Sequence, residues 1–454
     1  MYCYVHQEYS CNPMALSRLD LLHAIVSQRT FAIDAYHTNT IDKAFANGHY
    51  YSDKAPGTVF LVLPFFYLTS KILLSFDQSL DSEQGWFASS WISVATSIGA
   101  LAAFGAVCLF LWLEGFIPPR CALICTLVIA FGSMMFPYTT MMLSHSVVIG
   151  LFAIALWCLR LGHTPKSAIA DRKRFNWSDV IAGASCGLAI ACEYSAALVS
   201  GGIVAAVLSC SLRRTCQMVL GAIPPLMLIP IYNWICLGNP FALPYGYESH
   251  FTQMNKGFYG IHLPELDNAF HLLFSRERGL FFWTPFLLLA VPGYFGLYAI
   301  SRRLFWLCYF VPLIQVIVMS GNFNMKAGLT LGPRYIAPML ALLILPAGIA
   351  ARKAPWVAVP LAILSVVITG GATLVTAHLP SGFGNPLFNF YMPEFLAGHF
   401  THNLGELIGL KEHWSVAPPL LLVSLGIWYL WYHLADRNMT GCERRGKSQT
   451  FSKA

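Results

Sequence analysis

The sequence predicts an all-α, polytopic integral membrane protein, and three observations support this fold class. Of the 454 residues, 56% are hydrophobic and only 11% are charged. Apolar runs of about 20 residues, the length that an α-helix needs to cross a bilayer, recur along almost the whole chain. The basic residues fall in short clusters between these runs, so the net charge of +7 reflects membrane topology rather than a nucleic-acid-binding patch. We therefore expect the lipid bilayer as a partner, and no nucleic acid.

The apolar runs predict about 11 transmembrane helices of about 20 residues or fewer each. Residues 179–211 are long enough for two short helices, because a turn at Glu193 and Tyr194 would keep the carboxylate out of hydrocarbon. A functional Glu193 inside the membrane is the alternative. Residues 57–76 either cross the bilayer or lie at its interface. The other predicted spans are residues 87–113, 119–138, 145–162, 216–237, 280–300, 304–321, 335–351, 355–378 and 416–434.

The positions of the basic clusters predict the topology. An even number of predicted helices separates each cluster from the next, so all of them lie on one side, which the positive-inside rule makes the cytoplasm. The loops at 238–279, 322–334 and 379–415 then face outward from a cell inner (plasma) membrane. The clusters are Arg160 to Arg174, Arg213-Arg214, Arg302-Arg303, Arg352-Lys353 and the tail with Arg437, Arg444, Arg445 and Lys447.

The most informative stretch is residues 47–57, where polar and ionisable groups directly precede an apolar segment. Asp53 and Lys54 come just before Pro56 and Gly57, two residues that break regular structure and let the backbone turn sharply. Such a corner at a membrane surface can hold a charged headgroup. The alternative is that Asp53 and Lys54 only flank a helix start, with Lys54 snorkelling to the interface.

Short motifs along most of the chain point to a known family. They are Ser17-Arg18-Leu19, residues 33–36, 42–44 and 48–57, Tyr232-Asn233 with residues 238–241, residues 275–280, and Gly332-Pro333-Arg334-Tyr335. Together they resemble the GT-C membrane glycosyltransferases, in the bacterial group similar to aminoarabinose and protein-mannosyl transferases. The block at residues 51–57 is the most specific of these motifs.

The resemblance implies a single membrane domain. Residues 1–86 would form a first outer loop with juxtamembrane helices, one of them at 57–76, residues 87–434 the transmembrane bundle, and residues 435–454 a basic cytoplasmic tail. The family's fold also implies a helix that crosses outward before this loop, and because no apolar segment precedes Ser17 we favour a missing first helix. Many members carry an acidic pair near the arginine motif, about three positions before the arginine, and that position in this chain is Ala15.

The resemblance further implies transfer of a sugar from a polyprenyl-phosphate-linked donor to a hydroxyl of a glycan, glycolipid or protein acceptor at the outer face. The acceptor must lose a proton to a carboxylate, and the departing phosphate needs positive charge or a divalent cation, Mg or Mn. We expect Asp53, Asp42 and then Asp34 as base, with Asp42 and Asp53 also as possible metal ligands. The expected phosphate- or sugar-binding residues are Lys54, Arg334, His49, Arg278 and Lys326.

Two other functions fit the same pattern. A transporter or flippase for a lipid-linked substrate would also need many helices, but transporters concentrate polar residues near the bilayer midplane. This chain keeps its ionisable groups in the predicted outer loops, which favours an enzyme. An inactive, truncated GT-C relative is the third alternative, because of Ala15 and the missing first helix.

Overall fold

A computed structural model describes residues 1–7, 12–162, 175–324, 330–379 and 382–450, with side chains described up to residue 434. Its described residues contain seven helical stretches that are long and apolar enough to cross a membrane. These are Gly57–Ser75, Glu83–Leu113, Leu212–Leu237, Arg302–Ser320, Arg334–Ala351, Pro355–Val375 and His413–Leu434. Five shorter apolar helical stretches complete the bundle: Pro119–Phe131, Ser144–Leu159, Trp177–Cys192, Ala196–Leu208 and Pro285–Ile300. The fold is therefore the predicted all-α, polytopic membrane architecture.

The individual elements are numbered in chain order. The first part contains α1 (Pro13–His23), β1 (Lys43–Ala46), β2 (His49–Ser52), α2 (Gly57–Ser75), α3 (Glu83–Val94), α4 (Ala100–Leu113), α5 (Pro119–Phe131), α6 (Met135–Thr139) and α7 (Ser144–Leu159). The middle part contains α8 (Trp177–Cys192), α9 (Ala196–Leu208), α10 (Leu212–Leu226), α11 (Leu228–Leu237), α12 (Leu266–Phe274), α13 (Leu280–Trp283), α14 (Ala290–Ile300) and α15 (Arg302–Ser320). The last part contains α16 (Leu340–Ala351), α17 (Pro355–Ser365), α18 (Gly371–Val375), α19 (Met392–Ala397), α20 (Leu404–Leu407) and α21 (His413–Thr450).

Short 3₁₀- or π-helical turns join several of these elements. Ala95–Gly99 connects α3 to α4 and Val366–Gly370 connects α17 to α18, so each pair forms one continuous span. The remaining turns are Ala24–Gln28, Pro244–Tyr247, Thr252–Asn255, Pro285–Leu289, Arg334–Met339 and Leu387–Tyr391.

All eleven predicted spans coincide with apolar helices, and the differences lie at their ends. The predicted span 119–138 is interrupted after α5, and α6 continues it as a separate turn of helix. The predicted break at Glu193 and Tyr194 is confirmed, because α8 ends at Cys192 and α9 begins at Ala196. The open segment 57–76 forms the single helix α2. Large apolar side chains such as Phe104, Phe295 and Leu422 are exposed on the outer faces of the bundle, as expected for surfaces that lipid covers.

The helices pack closely where small residues meet. A Cβ atom on Gly105 of α4 would lie 2.4 Å from the Cα of Gly150 on α7, so only glycine permits this approach. Such contacts bring backbones together in membrane bundles, where van der Waals packing replaces the hydrophobic effect as the driving force.

The helix α1 lies inside the protein rather than on its surface. Asn12 caps its N-terminus by accepting the backbone N–H of Ala15, and Pro13 occupies the first turn, where its missing N–H costs nothing. All of its residues from Met14 to His23 are buried. This helix therefore presents polar side chains such as Ser17 and Arg18 to the interior, where each needs a partner.

A hairpin follows α1 that the sequence analysis did not predict. Strands β1 and β2 pair antiparallel, with Ala46 opposite His49, so that Asn47 and Gly48 form the two-residue turn. Both turn residues have positive φ, as the Asn-Gly type I′ turn requires. The hairpin ends at Ser52 and delivers Asp53 and Lys54 to the N-terminus of α2.

The predicted outer loops meet one another and the hairpin at one end of the bundle. Ala44 of β1 forms a bridge with Glu248, Ile261 bridges Asn322, and Thr330 bridges His378. Two residues of the basic clusters lie at helix ends, where Arg214 contacts Asp179 and Arg352 donates to the Phe116 carbonyl.

Candidate active site

The centre of the candidate site is a buried lysine between two aspartates. Lys54 Nζ lies 2.6 Å from Asp53 Oδ2 and 2.9 Å from Asp42 Oδ2. The three side chains are 6%, 0% and 9% exposed, in the order Lys54, Asp53, Asp42. Asp42 immediately precedes β1 and Asp53 immediately follows β2, so the hairpin places both carboxylates on the same ammonium group.

The polar side chain of Ser17 on α1 supports this cluster. Its hydroxyl lies 2.8 Å from Ser52 Oγ and donates to Asp53 Oδ1 at 3.3 Å. Both oxygens of Asp53 are therefore engaged, one by Ser17 and one by Lys54. Tyr232 holds the same corner from α11, because its hydroxyl donates to the Ser52 carbonyl at 3.3 Å.

Charge pairing determines the ionisation of the cluster. Burial raises the pKa of Asp53 and the neighbouring Lys54 opposes this shift. Burial alone would lower the pKa of Lys54, but the charges of Asp42 and Asp53 raise it well above its usual value. The ammonium group is thus charged at neutral pH and occupies the space between the carboxylates.

The contacts of Lys54 determine whether Asp42 and Asp53 can bind the expected divalent cation. Asp42 and Asp53 each give an oxygen to Lys54, so a metal ion bound by both would have to displace the ammonium group. Among the described residues, no group of three or more His, Cys, Asp and Glu side chains is placed to hold a metal ion. As they are arranged here, these residues do not fit a divalent cation.

A third acidic residue, Glu248, reaches the cluster from the loop after α11. The loop docks on the hairpin through the Ala44–Glu248 bridge and the bond from the Ser249 N–H to the Lys43 carbonyl, 3.1 Å long. Burial, together with the charge of Asp53, raises the pKa of Glu248 to about 8. Glu248 is therefore protonated at neutral pH, and the cluster avoids a third buried negative charge.

Two buried arginines, Arg278 and Arg334, lie near the Lys54 cluster. Arg334 is within electrostatic range of both Asp42 and Arg278. Arg334 Nε and Arg278 Nε and Nη1 are buried and contact no acceptor among the described residues. Burial and the charge of Arg334 lower the pKa of Arg278. Buried N–H groups of this kind are costly when unpaired, so they mark a place where an anion would be stabilised.

A second acidic centre surrounds Glu193, at the break between α8 and α9. Ser144 Oγ donates to Glu193 Oε2 at 2.9 Å and accepts a bond from Arg18 Nη2 at 3.2 Å. His145 Nε2 lies 3.7 Å from the same Glu193 oxygen. Tyr245 is within electrostatic range of both Glu193 and Asp53, so the two acidic centres share a neighbouring residue.

The structure brings together only some of the predicted site residues. Asp53, Asp42 and Lys54 are in contact, and Arg334 and Arg278 lie nearby. Asp34 and His49 pair with each other at 2.6 Å on the hairpin surface, where their side chains are 44% and 56% exposed. Although partial burial opposes it, hydrogen bonds from the Tyr50 N–H and from His49 lower the pKa of Asp34. Lys326 lies outside the described residues.

Sequence reasoning gave no role to two residues of the site, Arg18 and Glu248, and treated a functional Glu193 only as the alternative. Glu193 was expected at the membrane face, although an acidic residue inside an apolar run was the signal that could have identified it. Arg18 belonged to a motif but received no role. No spacing in the sequence links Glu248 to Asp53, because only the docking of the loop on the hairpin brings them together.

Comparison with known proteins identifies the fold. No family model and no curated protein matches the chain. Among solved structures, the chain is similar to ArnT from Cupriavidus metallidurans bound to undecaprenyl phosphate, with a TM-score of 0.51 and 13% sequence identity. The match covers 97% of this chain and 76% of the ArnT chain. The chain is less similar to the archaeal oligosaccharyltransferase AglB from Archaeoglobus fulgidus, solved with an inhibitory peptide and a dolichol-phosphate, with a TM-score of 0.39 and 12% sequence identity. That match covers 96% of this chain and 52% of the AglB chain.

Proposed function

We propose that this chain, which has the fold of the GT-C membrane glycosyltransferases, transfers a sugar from a polyprenyl-phosphate donor to an acceptor hydroxyl. The observation that carries the proposal is a set of buried guanidinium N–H groups on Arg278 and Arg334, near the Lys54 cluster, that have no acceptor among the described residues. A site of this kind is suited to a negatively charged group with several oxygen acceptors.

A lipid-linked phosphate fits this chemistry. A guanidinium group forms short, charge-assisted bonds to phosphate oxygens, each worth about 1.5–3 kcal/mol. The charge of Lys54 is already paired with Asp42 and Asp53, so the two arginines supply the positive charge for the phosphate. The lipid tail of the donor would stay in the bilayer that covers the exposed apolar faces of the helices. The similar ArnT structure contains undecaprenyl phosphate, which supports this class of ligand.

The positive charges also suit the reaction. When the bond between the anomeric carbon and the phosphate oxygen breaks, negative charge grows on the departing phosphate. Arg278 and Arg334 would stabilise that charge in a site that excludes much of the water. Asp42 and Asp53 would hold Lys54 in position, at 2.9 and 2.6 Å.

We place this chemistry at the outer face of a cell inner membrane, because the loops that form the site are the ones that the basic clusters predict to face outward. The acceptor would be a hydroxyl of a glycan, a glycolipid or a protein.

A transfer assay tests the proposal. Nanodiscs containing the full-length chain are incubated with a membrane extract and with undecaprenyl phosphate linked to radiolabelled glucose, mannose, galactose or 4-amino-4-deoxyarabinose. We expect one of these sugars to move into the glycan, glycolipid or protein fraction. Release of no sugar from any donor, together with no binding of undecaprenyl phosphate, would refute the proposal. Movement of the intact donor across the bilayer of sealed vesicles would support the flippase alternative instead.

Substitutions at the Lys54 cluster provide the matched variants. Asp53→Asn and Asp42→Asn should each abolish transfer while leaving membrane insertion intact, because Lys54 loses a partner that fixes its position. Asp267→Asn is the control, since its side chain is 84% exposed in an outer loop. Full activity of both cluster variants would remove these aspartates from the reaction.

A further inference from the structure

We infer that Glu193 is the base that removes the proton from the acceptor hydroxyl, an assignment that rests on the proposed sugar transfer. The candidate carboxylates differ in whether a substrate hydroxyl can reach them. A general base must come within hydrogen-bonding distance of the proton that it removes. Asp53 is fully buried and both of its oxygens are engaged by protein donors, so no substrate hydroxyl can reach it. Asp42 is 9% exposed and gives one oxygen to Lys54.

Glu193 has the more accessible carboxylate. Its side chain is 14% exposed although it lies inside the protein. One oxygen, Oε2, is held by Ser144, whereas the other, Oε1, has Ser195 Oγ only at 3.5 Å. The Oε1 atom is therefore available to a substrate hydroxyl without the loss of a strong bond in the protein.

A chain of hydrogen bonds fixes the orientation of Glu193. Arg18 Nη2 donates to Ser144 Oγ, which leaves the single hydroxyl proton of Ser144 directed at Glu193 Oε2. The Arg18 side chain is itself held by the Met14 carbonyl at 3.0 Å. A base oriented by a second group, which is oriented in turn by a third, is the usual arrangement of an activated acid–base pair.

The charges around Glu193 keep it ionised. Burial alone would raise its pKa, but the charges of Arg18 and Arg334 and the Ser144 hydrogen bond lower it below the usual value. The facing groups from the neighbouring elements are Arg18 of α1, Ser144 and His145 of α7, Tyr245 of the outer loop and Arg334. Because Tyr245 is within electrostatic range of both Glu193 and Asp53, an acceptor beside Glu193 would lie near a donor bound at the Lys54 cluster.

The acceptor oxygen forms a bond to the anomeric carbon of the sugar while its proton moves to Glu193 Oε1. The bond from the anomeric carbon to the phosphate oxygen breaks, and its electron pair leaves with the polyprenyl phosphate. The products are the glycosylated acceptor, polyprenyl phosphate and protonated Glu193, which returns its proton to water.

The test uses Glu193→Gln in the full-length chain in nanodiscs, with the donor that the wild type accepts. Glutamine keeps the acceptor oxygen for Ser144 but cannot take a proton. We expect transfer to fall by about 100-fold or more, the usual contribution of a general base. Binding of undecaprenyl phosphate and the thermal midpoint should stay close to wild type. Glu394→Gln, which changes an exposed carboxylate paired with His399, is the matched control and should retain activity.

A second variant separates proton removal from a structural role. Glu193→Ala should be equally inactive and should regain transfer when sodium formate is added, because formate can occupy the space and accept the proton. Three results would overturn the assignment while leaving the proposed function intact. They are transfer by Glu193→Gln within threefold of wild type, loss of undecaprenyl phosphate binding by Glu193→Gln, and no recovery of transfer by Glu193→Ala with formate. A wild-type chain that neither binds undecaprenyl phosphate nor transfers any sugar would overturn both.

Discussion

Replacement of Arg278 by methionine should have opposite effects on stability and on ligand binding. Arg278 is 8% exposed, and its Nε and Nη1 atoms are buried with no acceptor among the described residues. The nearby charge of Arg334 is of the same sign, and burial together with this charge lowers the pKa of Arg278. When no anion is bound, the guanidinium group is therefore expected to destabilise the folded protein. Methionine has a similar length and carries neither the charge nor the unpaired donors.

The size of each effect follows from these contacts. Removing a buried polar or charged group that has no partner should raise the free energy of unfolding of the empty protein by about 1–3 kcal/mol. A phosphate bound at Arg278 would lose charge-assisted bonds worth about 1.5–3 kcal/mol each. Because each 1.4 kcal/mol changes affinity about tenfold, the Kd for undecaprenyl phosphate should rise by about 10- to 100-fold.

Both quantities can be measured on the same nanodisc preparation. Tryptophan fluorescence during heating reports the thermal midpoint, and titration with undecaprenyl phosphate reports the Kd. Arg276→Met is the matched control, because Arg276 lies two residues away in the same loop and is exposed. It should change neither quantity appreciably. A fall in the thermal midpoint of Arg278→Met, with an unchanged Kd, would show that Arg278 is a structural residue and would refute the phosphate site.

Three further predictions concern the Lys54 cluster and the topology. Lys54→Met should lower the free energy of unfolding by about 3–5 kcal/mol, because Asp42 and Asp53 stay buried without their partner. A thermal midpoint equal to that of the wild type would contradict the ion pairing. The pKa of Glu248 is raised from 4.5 to about 8, so the native state holds a proton that the unfolded chain releases, and stability should fall as the pH rises from about 5 to 8. Glu248→Gln should flatten this dependence, measured as the thermal midpoint at each pH, and an equally steep curve in the variant would assign it to another group. Leu263→Cys should react with an impermeant maleimide in intact cells and Lys353→Cys only after permeabilisation, relative to the parent chain; the reverse pattern would invert the topology.

Much of the architecture could be predicted because it depends on local composition. A helix that crosses lipid must satisfy its backbone hydrogen bonds within itself and must be apolar over its length, so each span leaves a continuous signal in the sequence. The break at Glu193 was predictable for the same reason, since a carboxylate is costly in hydrocarbon. The hairpin was also accessible, because Asn47-Gly48 is a strong turn signal between strands, but an all-helical expectation obscured it.

The candidate site was only partly predictable. Asp53 and Lys54 are adjacent in the sequence, and the motif that contains them drew attention to the corner before α2. Nothing in the sequence separates Asp42 from Asp34, since both are acidic residues in the same polar stretch. The structure separates them because the pairing of β1 with β2 turns Asp42 toward Lys54, whereas Asp34 binds the exposed His49 on the hairpin.

The sequence alone determined that the chain is a bundle of apolar helices with its ionisable groups gathered in loops, since hydropathy acts over consecutive residues. Only the tertiary structure decided which charges face one another. Glu193, Ser144 and Arg18 come from three separate elements, and Glu248 meets Asp53 through a loop that docks on a hairpin. The interaction of buried charges depends on distances of a few ångströms and on burial, and both are set by how distant segments pack.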